Sequence, residues 1–72
     1  MGKRFPQLMT GQRIEVYLEG GQIKEGNFAK WMFLEGHSYL VVEKDEHFND
    51  GRHISGVWYL SESLIKLIYP LL

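Results

Sequence analysis

Between Gln12 and Leu18 apolar and polar residues alternate without a break, with Ile14, Val16 and Leu18 on one side and Arg13, Glu15 and Tyr17 on the other. A period of two marks a strand with one buried face. Glu19-Gly20-Gly21-Gln22 follows, and adjacent glycines supply the positive φ angles of a tight hairpin turn. The pattern commits the chain to an antiparallel pair, with a second strand running from Gln22 to about Phe33. The inventory points the same way: nine Val or Ile and ten aromatics stand against one alanine, Ala29, a bias toward strands over helices.

The second strand carries Ile23, Phe28 and Trp31 with Gly26 in its interior. An interior glycine marks a bulge or a sharp bend, and a long strand bent there can serve both sides of a small barrel. Ser38–Glu43 is apolar on both faces, as a central strand covered on two sides would be. Lys44–Gly51 is the most polar stretch, with four acids against one lysine over residues 43–50 and a turn signal at Asn49-Asp50-Gly51. A fourth strand is expected over Arg52–Leu60. Ser61-Glu62-Ser63 then reads as one tight turn before a fifth strand, Leu64–Tyr69, that Pro70 ends. At the other terminus Pro6 can open a short helical turn through Met9 that stops at Gly11. The expected architecture is all-β: a single domain over residues 1–72, a small five-stranded SH3-like barrel with a short N-terminal helical turn.

With 72 residues, of which 44% are apolar and 24% charged, the chain is too apolar to remain disordered. Folding nevertheless buries only about 60% of the surface of an unfolded chain this short, so self-association would relieve a marginal core. The net charge of −1 lacks the basic excess of a dedicated nucleic-acid binder. The absence of cysteine excludes disulfides, thiolate zinc sites and a cysteine nucleophile. Apolar runs such as Trp31–Leu34 and Tyr39–Val42 fall far short of the roughly 20 residues that span a bilayer, and Met1–Thr10 has no apolar signal-peptide core. A cytoplasmic protein with no membrane partner is expected.

Little in the sequence points to catalysis. His37, His47 and His53 show no zinc spacing on one element. Asp45, His47, Asn49 and Asp50 have the look of a calcium loop, but Asp50 replaces the required glycine and Gly56 falls where the closing glutamate belongs. Serines 38, 55, 61 and 63 lie in no nucleophile-elbow motif, and no phosphate-binding glycine loop is present. The chain is expected to be non-enzymatic, with no metal and no cofactor. The rings say more. Trp31, Phe33, Tyr39, Trp58, Tyr59 and Tyr69 exceed what so small an interior holds, so some reach the surface, where rings serve protein interfaces or stack on bases.

The order of Ile14-Glu15-Val16-Tyr17-Leu18, Gly21, Gly26 and Phe28, followed by Ile54-Ser55-Gly56-Val57 and Leu64–Ile68, resembles the Sm-like family of Sm, Lsm and Hfq proteins. The resemblance covers nearly the whole chain and rests on glycines and apolar alternation. It implies a small barrel that assembles with copies of itself, in a ring, and binds single-stranded RNA. Where the family carries its pocket Asp this chain has Met32, where it carries an Asn it has Gly36-His37, and where it carries an Arg it has Ser55. The RNA-binding candidates that remain are Lys30, Trp31 and His37, gathered near the loop between the second and third strands, which in Sm-like rings faces the pore. The candidate oligomer interface is Val57, Tyr59, Ile68 and Tyr69 on the last two strands. The alternative is an adaptor that contacts another protein and has lost RNA binding.

Overall fold

The protein is described by a computed structural model that covers residues 5–47 and 50–71. It is all-β, with strands β1 (Arg13–Leu18), β2 (Ile23–Leu34), β3 (His37–His47), β4 (His53–Ser61) and β5 (Ile65–Pro70), and a 3-10 turn over Glu62–Leu64 between β4 and β5. The strands form one open antiparallel sheet in the order β4-β3-β2-β1-β5. Both edges are therefore strands from the C-terminal third of the chain.

Turn chemistry fixes the hairpins. Gly21, at φ 89°, closes the β1–β2 loop, and its N–H donates to the Leu18 carbonyl across 2.9 Å. This is a three-residue loop ending in a left-handed glycine, and only one of the two adjacent glycines needs positive φ. Between β2 and β3 the turn is two residues long, with Glu35 at φ 51° and Gly36 at φ 80°, the type I′ geometry whose twist matches that of the flanking strands. The turn between β3 and β4, with its calcium-like sequence, lies partly outside the described residues. Gly51 there has φ 89°, and Arg52 pairs with Asp50 at 2.7 Å.

β2 changes partner midway. Its first half pairs with β1 from Ile23 to Asn27, and its second half pairs with β3 from Asn27 to Leu34. Gly26 sits at this handover and is buried, with the backbone of β3 close against it. Just beyond it, Ala29 is bulged out of register between Phe28 and Lys30. The bulged carbonyl is not orphaned, because the Thr10 hydroxyl donates to it across 3.1 Å.

The core lies on one face of the sheet. Ile14 and Val16 of β1, Phe28 of β2, Leu40 and Val42 of β3, and Ile65 and Ile68 of β5 form one cluster, against which Trp58 and Leu60 of β4 also pack. Full burial of side chains from so many strands, with no helical layer among the described residues, requires the sheet to curl so that its own concave face closes over the core. Phe5 and Leu8 of the N-terminal arm complete the cover.

The helical turn expected over Pro6–Met9 does not form. Residues 5–9 have no regular structure, and the arm turns only at Thr10–Gly11, where the Gln12 N–H donates to the Met9 carbonyl across 2.9 Å. A four-residue segment gains at most one helical hydrogen bond for the angles it must fix. Packing Phe5 and Leu8 against the sheet prevails.

Candidate functional site

Cross-strand register assigns each side chain to a face. Counting from buried Val42, the concave face receives Phe28, Trp31 and Phe33 from β2, Ser38, Leu40 and Lys44 from β3, and Gly56, Trp58 and Leu60 from β4. The convex face receives Lys30, Met32, His37, Tyr39, Val41, Val57 and Tyr59. The Ala29 bulge decides this division, because an extra residue in a strand reverses the facing of all that follow. Without it Lys30 and Met32 would point inward and Trp31 outward.

Of the RNA-binding candidates, Trp31 thus lies on the concave face, while Lys30 and His37 lie on the convex one. The sheet brings Lys30 and His37 to one surface and separates both from Trp31. The indole of Trp31 instead stacks on Phe5, with centroids 5.6 Å apart and planes inclined by 24°. Beside this stack is a cleft of about 260 Å³ lined by Phe5, Pro6, Trp31, Ser38 and Glu62.

The other tryptophan has the opposite company. The ammonium groups of Lys24 and Lys44 lie 5.2 and 5.3 Å from the centroid of the Trp58 ring, within the range of cation–π attraction. Lys24 reaches this face because it pairs with inward-facing Val16, and Lys44 because it pairs with Gly56, which has no side chain to obstruct it. Lys44 also borders a depression of about 320 Å³ shared with Asn27, Glu43, Ser55, Gly56 and Val57. Ser38 and Lys44 are six residues apart on β3, about 20 Å. The concave face therefore carries an acidic aromatic cleft near one end and a basic aromatic cluster near the other.

Sequence reasoning missed Lys24, Lys44 and Trp58 as a group, although the signal was present. Steps of two connect Lys24 to buried Gly26 and Phe28, Lys44 to buried Val42, and Trp58 to partly buried Leu60. The polar composition around Lys44 hid the pattern by suggesting a loop, whereas β3 continues to His47.

The interface candidates divide by face as well. Val57, Tyr59 and Tyr69 are exposed, whereas the Ile68 side chain belongs to the core, only 3% exposed. The backbone of Ile68 is another matter. Leu71 donates its N–H to the Arg13 carbonyl across 2.8 Å, and antiparallel bonding alternates along a strand. In register with that bond, Tyr69 bonds to Glu15 of β1, and Ile68 turns its N–H and C=O to the open edge. Tyr69 also meets Tyr17 edge to face, with centroids 6.0 Å apart.

Among the described residues no three histidine or acidic side chains converge on a metal-sized site, and no helix is long and apolar enough to cross a membrane. Compared with known protein families, curated proteins and solved structures, the chain finds no match.

Proposed function

We propose that this protein is a non-enzymatic Sm-like barrel that assembles with copies of itself and binds single-stranded RNA. One observation carries the reading: the sheet ends in two open edges, β4 and β5, that bear exposed Val57, Tyr59, Leu67 and Tyr69. Open edges with apolar side chains associate readily, and natural proteins hide them or pair them. Adding β4 of one copy to β5 of the next satisfies both edges. This head-to-tail contact closes into a ring when the rotation permits.

RNA is the ligand that the family resemblance implies, and the Lys24–Trp58–Lys44 cluster supports it with a ring face and two cations in place of the missing pocket residues. A stacked base gains about 1–3 kcal/mol, and a ring would repeat the weak site once per subunit. Light scattering combined with RNA binding across a salt series tests the proposal. An oligomer whose RNA affinity falls linearly in log–log form with salt supports it. An oligomer indifferent to RNA favours the adaptor reading, which draws on the net charge of −1 and on Met32 and Ser55 at the family's reading positions.

A further inference from the structure

We propose that the cleft lined by Phe5, Pro6, Trp31, Ser38 and Glu62 is a docking site for the cationic side chain, lysine or arginine, of a partner protein. Its volume of about 260 Å³ lies below the roughly 300–1,000 Å³ of small-molecule sites, a size suited to one long side chain rather than a cofactor. Its walls are the stacked rings of Phe5 and Trp31, whose negative π faces attract an ammonium or guanidinium group.

Glu62 lines the same cleft, half-buried, and among the described residues its carboxylate has no ion pair or hydrogen bond. Among the described residues, no lysine or arginine lines the cleft. Among the described residues the acid and the rings have no cation beside them, and the alkyl stem of a lysine or arginine would lie against the Phe5 and Trp31 rings while its head met Glu62 and the Ser38 hydroxyl. A phosphate group would be repelled by the same carboxylate, so the cleft is unsuited to RNA even though Trp31 offers a stacking face. The proposal goes beyond the assembly and RNA reading and is independent of it, since the cleft is built from a single chain.

The test titrates the protein with capped lysine, capped arginine and, as a neutral probe of similar shape, capped norleucine, following the Trp31 indole resonance assigned through Trp31→Phe. Lysine and arginine should shift that resonance saturably and norleucine should not. Glu62→Gln should weaken both cations at least fivefold with an unchanged melting temperature, and Glu62→Asp should restore part of the binding. Added salt should weaken it too, as expected for a partly exposed charge pair. Equal response to norleucine, unchanged binding in Glu62→Gln, or no shift up to the solubility of the probes would overturn the proposal. Dissociation of the protein's own oligomer by Glu62→Gln would also overturn it, by making a second copy the occupant. The titration requires neither RNA nor assembly, so its failure is separate from theirs.

Discussion

A Cβ added to Gly26 would lie 2.6 Å from the carbonyl oxygen of Glu43 on the neighbouring strand. It would also lie 2.6 Å from a methyl group of Val42, but a side chain can move aside and a hydrogen-bonded backbone cannot without opening the handover from β1 to β3. Gly36 differs in kind: nothing crowds a Cβ there, and the obstacle is its φ of 80°. Gly26→Val should cost about 3 kcal/mol or more as an overpacked site, and Gly36→Val about 1–2 kcal/mol as a left-handed residue. Urea melts of the two variants check the order. The reverse ranking would remove Gly26 from its place as the tightest point of the sheet.

The β2–β3 turn carries a local defect that can be corrected. Glu35 occupies the left-handed region at φ 51°, where glutamate is strained and asparagine is tolerated. The side chain is exposed and Asn-Gly is the preferred pair for this turn. Glu35→Asn should therefore stabilise by about 0.5–1 kcal/mol, raising the melting temperature by a few degrees. An unchanged or lower melting temperature would mean that Glu35 contributes something the turn geometry does not reveal.

The strands were legible because each is announced locally. Alternation over Gln12–Leu18 and the paired glycines after it produce β1 and its hairpin, and Pro70 does close β5. The facing of β2 beyond Phe28 was not legible. An alternating pattern records which residues share a face only while the register holds, and nothing in Asn27-Phe28-Ala29-Lys30 announces that Ala29 will be bulged out. The bulge is supported by a tertiary partner, the Thr10 hydroxyl, which donates to the unpaired carbonyl. Its consequence reaches the candidate site: consecutive Lys30 and Trp31 face opposite ways in any case, and the bulge decides that Trp31 takes the concave face and Lys30 the convex one. The N-terminal arm was illegible for a related reason: Pro6 is compatible with a helix start, and only the distant ring of Trp31 explains why Phe5 packs against the sheet.

Tyr17 predicts a pH dependence. Its hydroxyl donates to the Glu15 carboxylate across 2.6 Å, and this bond, followed by desolvation and the nearby negative charge, raises its pKa above the usual 10.0. A raised pKa means that the folded state holds the proton more tightly than the unfolded state. The associated stability is fully present below the ordinary tyrosine pKa and is lost as pH rises through the folded value. Stability should therefore decline above about pH 10 more steeply in the parent than in Tyr17→Phe. Denaturant midpoints measured on both sides of that pH check this, and parallel curves would refute it.

The edge-pairing proposal makes side-chain and backbone predictions that differ. Val57 is exposed, so Val57→Lys should leave the monomer folded while placing a charge on the β4 edge, a substitution that discourages strand addition. Ile68→Pro removes an N–H that points to the open side of β5 rather than to β1, but it also alters a core side chain, so Ile68→Ala is its control. The oligomer should dissociate in Val57→Lys and Ile68→Pro and survive in Ile68→Ala, as read by light scattering at matched concentration. A parent that remains strictly monomeric at high concentration would end the proposal and leave a solitary five-stranded sheet.

The facing of the lysines makes the RNA proposal specific. Lys24 and Lys44 stand beside Trp58 on the concave face, whereas Lys30 is exposed on the convex face in register with Val41. If bases stack on Trp58 and phosphates meet the two ammonium groups, Lys24→Ala and Lys44→Ala should each weaken binding whatever the RNA sequence. Each should also flatten the log–log salt dependence by about 0.7 for every single-strand phosphate that the variant no longer neutralises. Lys30→Ala should change the slope less than either. Trp58 packs against the core, so Trp58→Phe, which keeps an apolar ring, serves better than alanine; it should weaken binding without moving the salt slope, because stacking releases no counterions. A larger slope change in Lys30→Ala would move the RNA to the convex face, which Lys30 and His37 share, and would exclude the Trp58 cluster as its site.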